Sequence, residues 1–167
     1  MAREFYQVSG PWSGKLWIAA RPRGGDWLED EIARWNGHGA GVVLSLLATD
    51  EERDLNLEKE ATVARSRDIE FVSLPIADRG IPSSESAFAG AIEWLDSALA
   101  AGRTVVVHCR QGIGRSGVAA ACALALNGVE PAEAIARVSW VRGLTVPETE
   151  PHREWIELYA SHLTHAT

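Results

Sequence analysis

The stretch Thr104-Val-Val-Val-His108-Cys109-Arg110-Gln111-Gly112-Ile113-Gly114-Arg115-Ser116-Gly117 decides how the rest of the chain is read. Its first five residues are a β-branched run of strand character. The run passes straight into a loop with two glycines, and residues 116–126 then read as an Ala-rich helix that stops at Asn127-Gly128. A strand that feeds a helix through a short loop belongs to a parallel α/β sheet, and such sheets bind ligands at the ends of their strands. Here the loop holds Cys109 at the strand end and Arg115 six positions later. The loop amides and the helix N-terminus make an anion cradle. Gly112 and Gly114 let the backbone curl tightly, and Arg115 offers a planar fork that grips two phosphate oxygens at once. The same positive field favours the thiolate of Cys109. A thiolate under a bound phosphate is a nucleophile aimed at phosphorus.

Working outward, strand and helix signals alternate. Leu16-Trp-Ile18 is a short strand candidate, and Asp26 is placed to cap a helix whose apolar positions are Leu28, Ile32 and Trp35. Val42-Val-Leu-Ser-Leu-Leu47 reads as a buried strand. The charged segment from Asp50 to Asp68 is helical in its second half through Leu57, Ala61 and Ala64, and its acidic run reads as a solvated face. Ile69-Glu-Phe-Val-Ser-Leu74 is a strand stopped by Pro75, and Ser84 begins a helix with Phe88, Ala91, Ile92, Leu95 and Leu99 on one face. Pro131 and Pro151 open two more helices. This alternation predicts an α/β fold with a mostly parallel central sheet flanked by helices. With 167 residues, the expectation is one domain over 1–167 with its core over about 16–163.

Composition narrows the function classes. The chain is 46% hydrophobic and 23% charged, a globular balance, and its 23 acidic against 16 basic residues give a net charge of −7. That balance argues against broad binding to nucleic acid or to an anionic membrane surface, while leaving room for a local basic pocket. Two cysteines, Cys109 and Cys122, make no disulfide scaffold; Cys122 reads as small core filler in the Ala-rich helix. No signal-peptide pattern is present in residues 1–10, and no apolar run reaches membrane-span length, so the expected location is the cytoplasm. Gly112-x-Gly-x-x-Gly117 also matches the dinucleotide-binding fingerprint. That fingerprint expects an acidic residue at a strand end about twenty residues on, whereas Glu130 and Glu133 flank Pro131 at a helix start.

The string His108-Cys109 to Arg115-Ser116-Gly117 resembles the His-Cys-x5-Arg-Ser/Thr-Gly signature of the protein tyrosine phosphatase superfamily. Leu74-Pro-Ile-Ala-Asp78 resembles the general-acid segment of its compact dual-specificity branch, and the likeness extends over about 16–155. The resemblance implies that Cys109 attacks phosphorus to form a cysteinyl-phosphate. Arg115 and the amides of Arg110, Gln111, Gly112, Ile113 and Gly114 would hold the equatorial oxygens. Asp78 would protonate the leaving oxygen and then activate water. Ser116 would hydrogen-bond the cysteine sulfur, and His108 would support the loop. His152 stands where many members place a water-contacting glutamine, either as a partner for that water or as an ordinary helix-start residue. Arg79 either contacts an anionic substrate or pins its loop through a salt bridge. No metal or organic cofactor is implied.

The implied substrate is a phosphorylated protein or peptide carrying phosphotyrosine, with phosphoserine or phosphothreonine as further candidates. One alternative is a phosphatase for inositol lipid, nucleotide or RNA phosphate; members acting on inositol lipids often carry lysines in the loop, and Arg110-Gln-Gly-Ile-Gly114 has none. A rhodanese-like sulfurtransferase would have no use for Asp78. A non-catalytic phosphate-binding module would not need Cys109, Arg115, Ser116 and Asp78 together. The oligomeric state is not legible in the sequence.

Overall fold

Val105, Val106 and Val107 are completely buried, which requires cover on both faces of the strand they form, β5 (Thr104–His108). The computed structural model, which describes residues 4–165, supplies that cover. β5 lies at the centre of a five-stranded sheet with β1 (Tyr6–Val8), β2 (Lys15–Ala19), β3 (Val42–Ser45) and β4 (Glu70–Ser73), in the order β1-β2-β5-β3-β4. β1 runs antiparallel to β2, and the other pairings are parallel. The predicted α/β architecture is therefore the observed one. The strand β1 was not anticipated: it is three residues long and sits at an edge, with too few positions for an alternating pattern to register.

Side chains alternate across the pleat, so the two cores divide by position. Leu16, Ile18, Val42, Leu44, Val105, Val107 and Cys109 join the core beneath α4 (Glu85–Ala100), α5 (Gly114–Leu126), α6 (Pro131–Arg142) and α7 (Glu150–His165). Trp17, Ala19, Val43 and Val106 join the opposite core under α1 (Leu28–Gly37) and α3 (Glu60–Ser66). The short α2 (Thr49–Asp54) follows β3. In α5 every residue from Arg115 to Ala125 is buried, and its alanines let α4, α6 and α7 approach closely. Cys122 is fully buried there, and burial pushes its thiol well up from its ordinary value.

Two expected helix starts have different outcomes. Ser84 caps α4 as expected, its hydroxyl accepting from the Ala87 amide at 3.1 Å. Asp26 caps no helix among the described residues: it lies in a 3-10 turn, Gly25–Trp27, ahead of α1. The Gly25 amide is tied to the Asn56 carbonyl at 3.0 Å, and the chain enters the helix through that turn.

The register brings three parallel strands to a common end. Ala19 and Ser45 both stand opposite His108, so the segments after β2, β3 and β5 leave the sheet at one level. The Leu46 amide donates to the His108 carbonyl at 2.9 Å and the Ile76 amide to the Leu46 carbonyl at 3.2 Å, which adds the segment after β4 to the same edge.

Candidate active site

Residues 109–113 fill that edge between β5 and α5. Among the described residues, no backbone carbonyl accepts from the amides of Arg110, Gln111, Gly112 or Ile113, and α5 opens without a side-chain cap. Those donors are left for solvent or a bound anion. The curl depends on Gly112, whose φ is +70°; a Cβ there would lie 2.6 Å from the Ala19 carbonyl oxygen. Arg142, from the end of α6, donates through Nε to the Gly112 carbonyl at 2.7 Å and fixes the loop from outside.

The loop borders a cavity of about 330 Å³. Cys109 and Arg115 line it, both only 3% exposed, together with Arg110, Gln111 and Gly114. Asp78 and Arg79 line it from the segment after β4, and His152 lines it from the start of α7 with Glu148 and Thr149. Residues far apart in the chain thus meet at one opening. Arg79 is exposed at this cavity and makes no ion pair among the described residues. Gly112 and Ile113 serve the shape of the loop instead, and do not line the cavity.

Arg115 is fixed before any ligand arrives. Its Nη1 donates to Glu51 Oε1 at 2.5 Å and to the Ile76 carbonyl at 2.8 Å; its Nη2 donates to Glu51 Oε2 at 3.0 Å and to Asp78 Oδ1 at 3.1 Å. The two-point pairing with Glu51 sets the plane of the guanidinium. Burial pushes the Glu51 carboxyl up, but the Arg115 hydrogen bonds, the Ala48 amide and the charges of Arg115 and Arg110 outweigh it and hold the group below its ordinary value. Burial also works against the Arg115 charge, and Glu51, Cys109 and Asp78 together more than restore it.

Glu51 and a second glutamate correct the expectation that the acidic segment is a solvated face. Glu51 and Glu60 are buried, 6% and 2% exposed. Glu60 Oε2 lies 2.7 Å from His108 Nε2, while His108 Nδ1 lies 3.3 Å from the Cys109 carbonyl oxygen. His108 projects to the α1 and α3 side of the sheet, away from the cavity, with the Trp35 ring edge-on at 5.9 Å. The signal that points to both glutamates is the loop itself. A buried arginine and a buried histidine each need an acceptor, and the segment after β3 emerges at the same sheet edge.

Ser116 brings another correction. Its hydroxyl is buried without a hydrogen-bond partner among the described residues, so the expected bond to the cysteine sulfur is not formed; the side chain is enclosed in the first turn of α5.

The buried Glu51–Arg115 pair carries a prediction about stability. Glu51→Gln leaves the Arg115 charge without its buried counter-ion, with only the exposed Asp78 carboxylate beside it, and is expected to destabilise the fold by about 3 kcal/mol at pH 7. Because the folded-state value of Glu51 is depressed, its contribution is complete above 4.5 and is lost as pH falls through the lowered value. Urea unfolding at pH 7 and at about pH 3.5 should therefore show the gap between wild type and variant narrowing in acid. A gap independent of pH would show that Glu51 contributes no such charge.

Three comparisons bear on this geometry. Residues 19–129 match the family described as "Tc-R-P: Polymorphic toxin system, DSP-PTPase phosphatase". A protein of Invertebrate iridescent virus 3, "Putative tyrosine phosphatase 067L", is 30% identical over 122 residues; the match covers 70% of this chain and 49% of the viral protein, so the chain spans about half the length of that relative. Kinase associated phosphatase, solved with a serine replacing its catalytic-site cysteine, superposes with a TM-score of 0.89 at 20% identity over 98% of this chain and 97% of its own. PTPMT1 in complex with PI(5)P superposes at 0.81 with 18% identity, over 98% and 99%. No helix among the described residues is long and apolar enough to cross a membrane.

Proposed function

This chain belongs to the DSP-PTPase phosphatase family, and from that premise we propose that it is a cysteine-dependent phosphatase of phosphotyrosine in proteins or peptides. Cys109, Arg115 and Asp78 lining one cavity, with Asp78 already bonded to Arg115 at 3.1 Å, is the observation that carries the reading. In the first step Cys109 Sγ attacks phosphorus, the bond to the leaving oxygen breaks, and protonated Asp78 gives that oxygen its proton. Arg115 and the free loop amides hold the equatorial oxygens throughout. In the second step water attacks phosphorus, the phosphorus–sulfur bond breaks, and the Asp78 carboxylate takes the water proton. Ser116, whose buried hydroxyl lacks a partner among the described residues, keeps a proton free to donate to the departing sulfur. His108 and Glu60 brace the strand end beneath the loop.

The depth of Cys109 favours phosphotyrosine. A cysteine only 3% exposed is reached by a phosphate on a slender arm, and an aryl ring extends further than a seryl methylene. The loop 110–114 carries no lysine to meet further phosphates on an inositol ring. His152 keeps a buried Nδ1 that has no partner among the described residues beside the cavity, an acceptor for the second-step water when the ring is neutral.

The test compares phosphate release from phosphotyrosine and phosphothreonine peptides and from inositol phosphates, in the presence of EDTA. The expected ranking places phosphotyrosine first, with release unaffected by the chelator. Preferential release from the inositol phosphates would move the substrate to lipid headgroups. Release dependent on added metal would overturn the cysteine mechanism.

A further inference from the structure

We propose that His152 is a positioning residue that holds the Asp78 loop over the phosphate loop; the proposal rests on the phosphatase reading above and concerns how its acid is kept in place. His152 is 2% exposed and sits in the first turn of α7, where its amide donates to Thr149 Oγ1 at 3.3 Å. Its Nε2 lies 2.8 Å from the Gly80 carbonyl oxygen. A carbonyl only accepts, so Nε2 carries the proton and donates. A Cβ placed on Gly114 would lie 3.1 Å from His152 Cε1, so the ring also rests against the first residue of α5. One side chain therefore ties together the start of α7, the start of α5 and the loop bearing Asp78.

Pro82 is buried at the far end of that loop, but few other hydrogen bonds hold the part that carries Asp78. Arg79 adopts a φ of +63°, the left-handed region that a residue with a side chain enters at a cost. The turn is closed internally by the Gly80 amide donating to the Ala77 carbonyl at 2.7 Å, and Ile81 is 43% exposed beyond it. Among the described residues, the hydrogen bonds reaching residues 77–83 from elsewhere in the chain are Arg115 to Asp78 and His152 to Gly80. The first of these competes with substrate, because Arg115 Nη2 divides its two hydrogens between Glu51 and Asp78, and an arriving phosphate oxygen takes the one given to the exposed Asp78. The second does not. In the complex, His152 is what keeps the acid above the leaving oxygen.

The test separates protonation of the leaving group from the rest of the reaction. The ratio kcat/KM reports steps through formation of the cysteinyl-phosphate, so a role with the second-step water would not change it. Phenyl phosphate needs its leaving oxygen protonated, whereas 4-nitrophenyl phosphate hardly does. His152→Ala is expected to lower kcat/KM for phenyl phosphate about three- to tenfold more than for the nitrophenyl ester, the effect of one net hydrogen bond. His152→Gln, which keeps an N–H donor, should hold the wild-type ratio between the two esters. In an Asp78→Asn background, His152→Ala should change that ratio no further. Equal losses on both esters, or additive losses in the double variant, would overturn the proposal. If the alanine variant does not fold, His152→Phe fills the same volume without a donor and must behave as the alanine variant is expected to; a wild-type ratio there would equally overturn it. Wild type inactive on both esters would instead remove the phosphatase reading and the latch with it.

Discussion

Cys109→Ser is expected to lower phosphate release from a phosphotyrosine peptide by on the order of 10⁶-fold, to below detection, while leaving anion binding within a few-fold of wild type. The two halves of this expectation come from separate parts of the site. Turnover needs a sulfur that attacks phosphorus and later leaves it; a serine hydroxyl at the same place has no base to take its proton, since Asp78 enters the first step protonated and His108 turns to the far side of the sheet toward Glu60. Binding rests on the loop amides and on Arg115, whose plane is set by Glu51 and by the Ile76 carbonyl rather than by the thiol. Phosphate release and calorimetric titration with tungstate measure the two independently. Residual release within a hundredfold of wild type would remove Cys109 as the nucleophile. Loss of tungstate binding along with turnover would mean that the cradle depends on the sulfur.

The sheet centre was legible because its signals are local. Three consecutive buried valines, a cysteine, two glycines and an Ala-rich helix lie within about twenty residues, and each limits the conformation of the next. Asp78 was placed from its own segment, and the fold brings that segment to the same cavity. The supporting glutamates were not legible. Glu51 and Glu60 lie among other acids between β3 and β4, and nothing in their spacing separates them from the half-buried Glu52 or the exposed Glu58 of the same segment. Their burial is decided by what approaches them, the Arg115 fork and the His108 ring, after four strand ends have come together. The same holds for His152. Its position after Thr149 and Pro151 marks a helix start, but the bond to Gly80 spans 72 residues and exists only once α7 packs beside α5.

Asp78→Asn is expected to lower kcat/KM for phenyl phosphate by roughly 10²–10⁴-fold and for 4-nitrophenyl phosphate by far less. The substitution is nearly isosteric, and the asparagine oxygen can still accept from Arg115 Nη2, so the 3.1 Å contact that orders the loop survives. What disappears is the proton. An amide cannot deliver one to a leaving oxygen, so the cost grows with the basicity of that oxygen. A series of aryl phosphates should therefore give a much steeper dependence of rate on leaving-group pKa in the variant than in wild type. The position of Asp78 makes this a sharp test: its side chain is 56% exposed at the mouth of the cavity, where it meets the departing group rather than the phosphate. Unchanged rates on phenyl phosphate would remove Asp78 from the role of acid and leave its bond to Arg115 as a closure contact alone. A loss of equal size across the whole series would point to a displaced Arg115 instead, because the fork serves every phosphate alike.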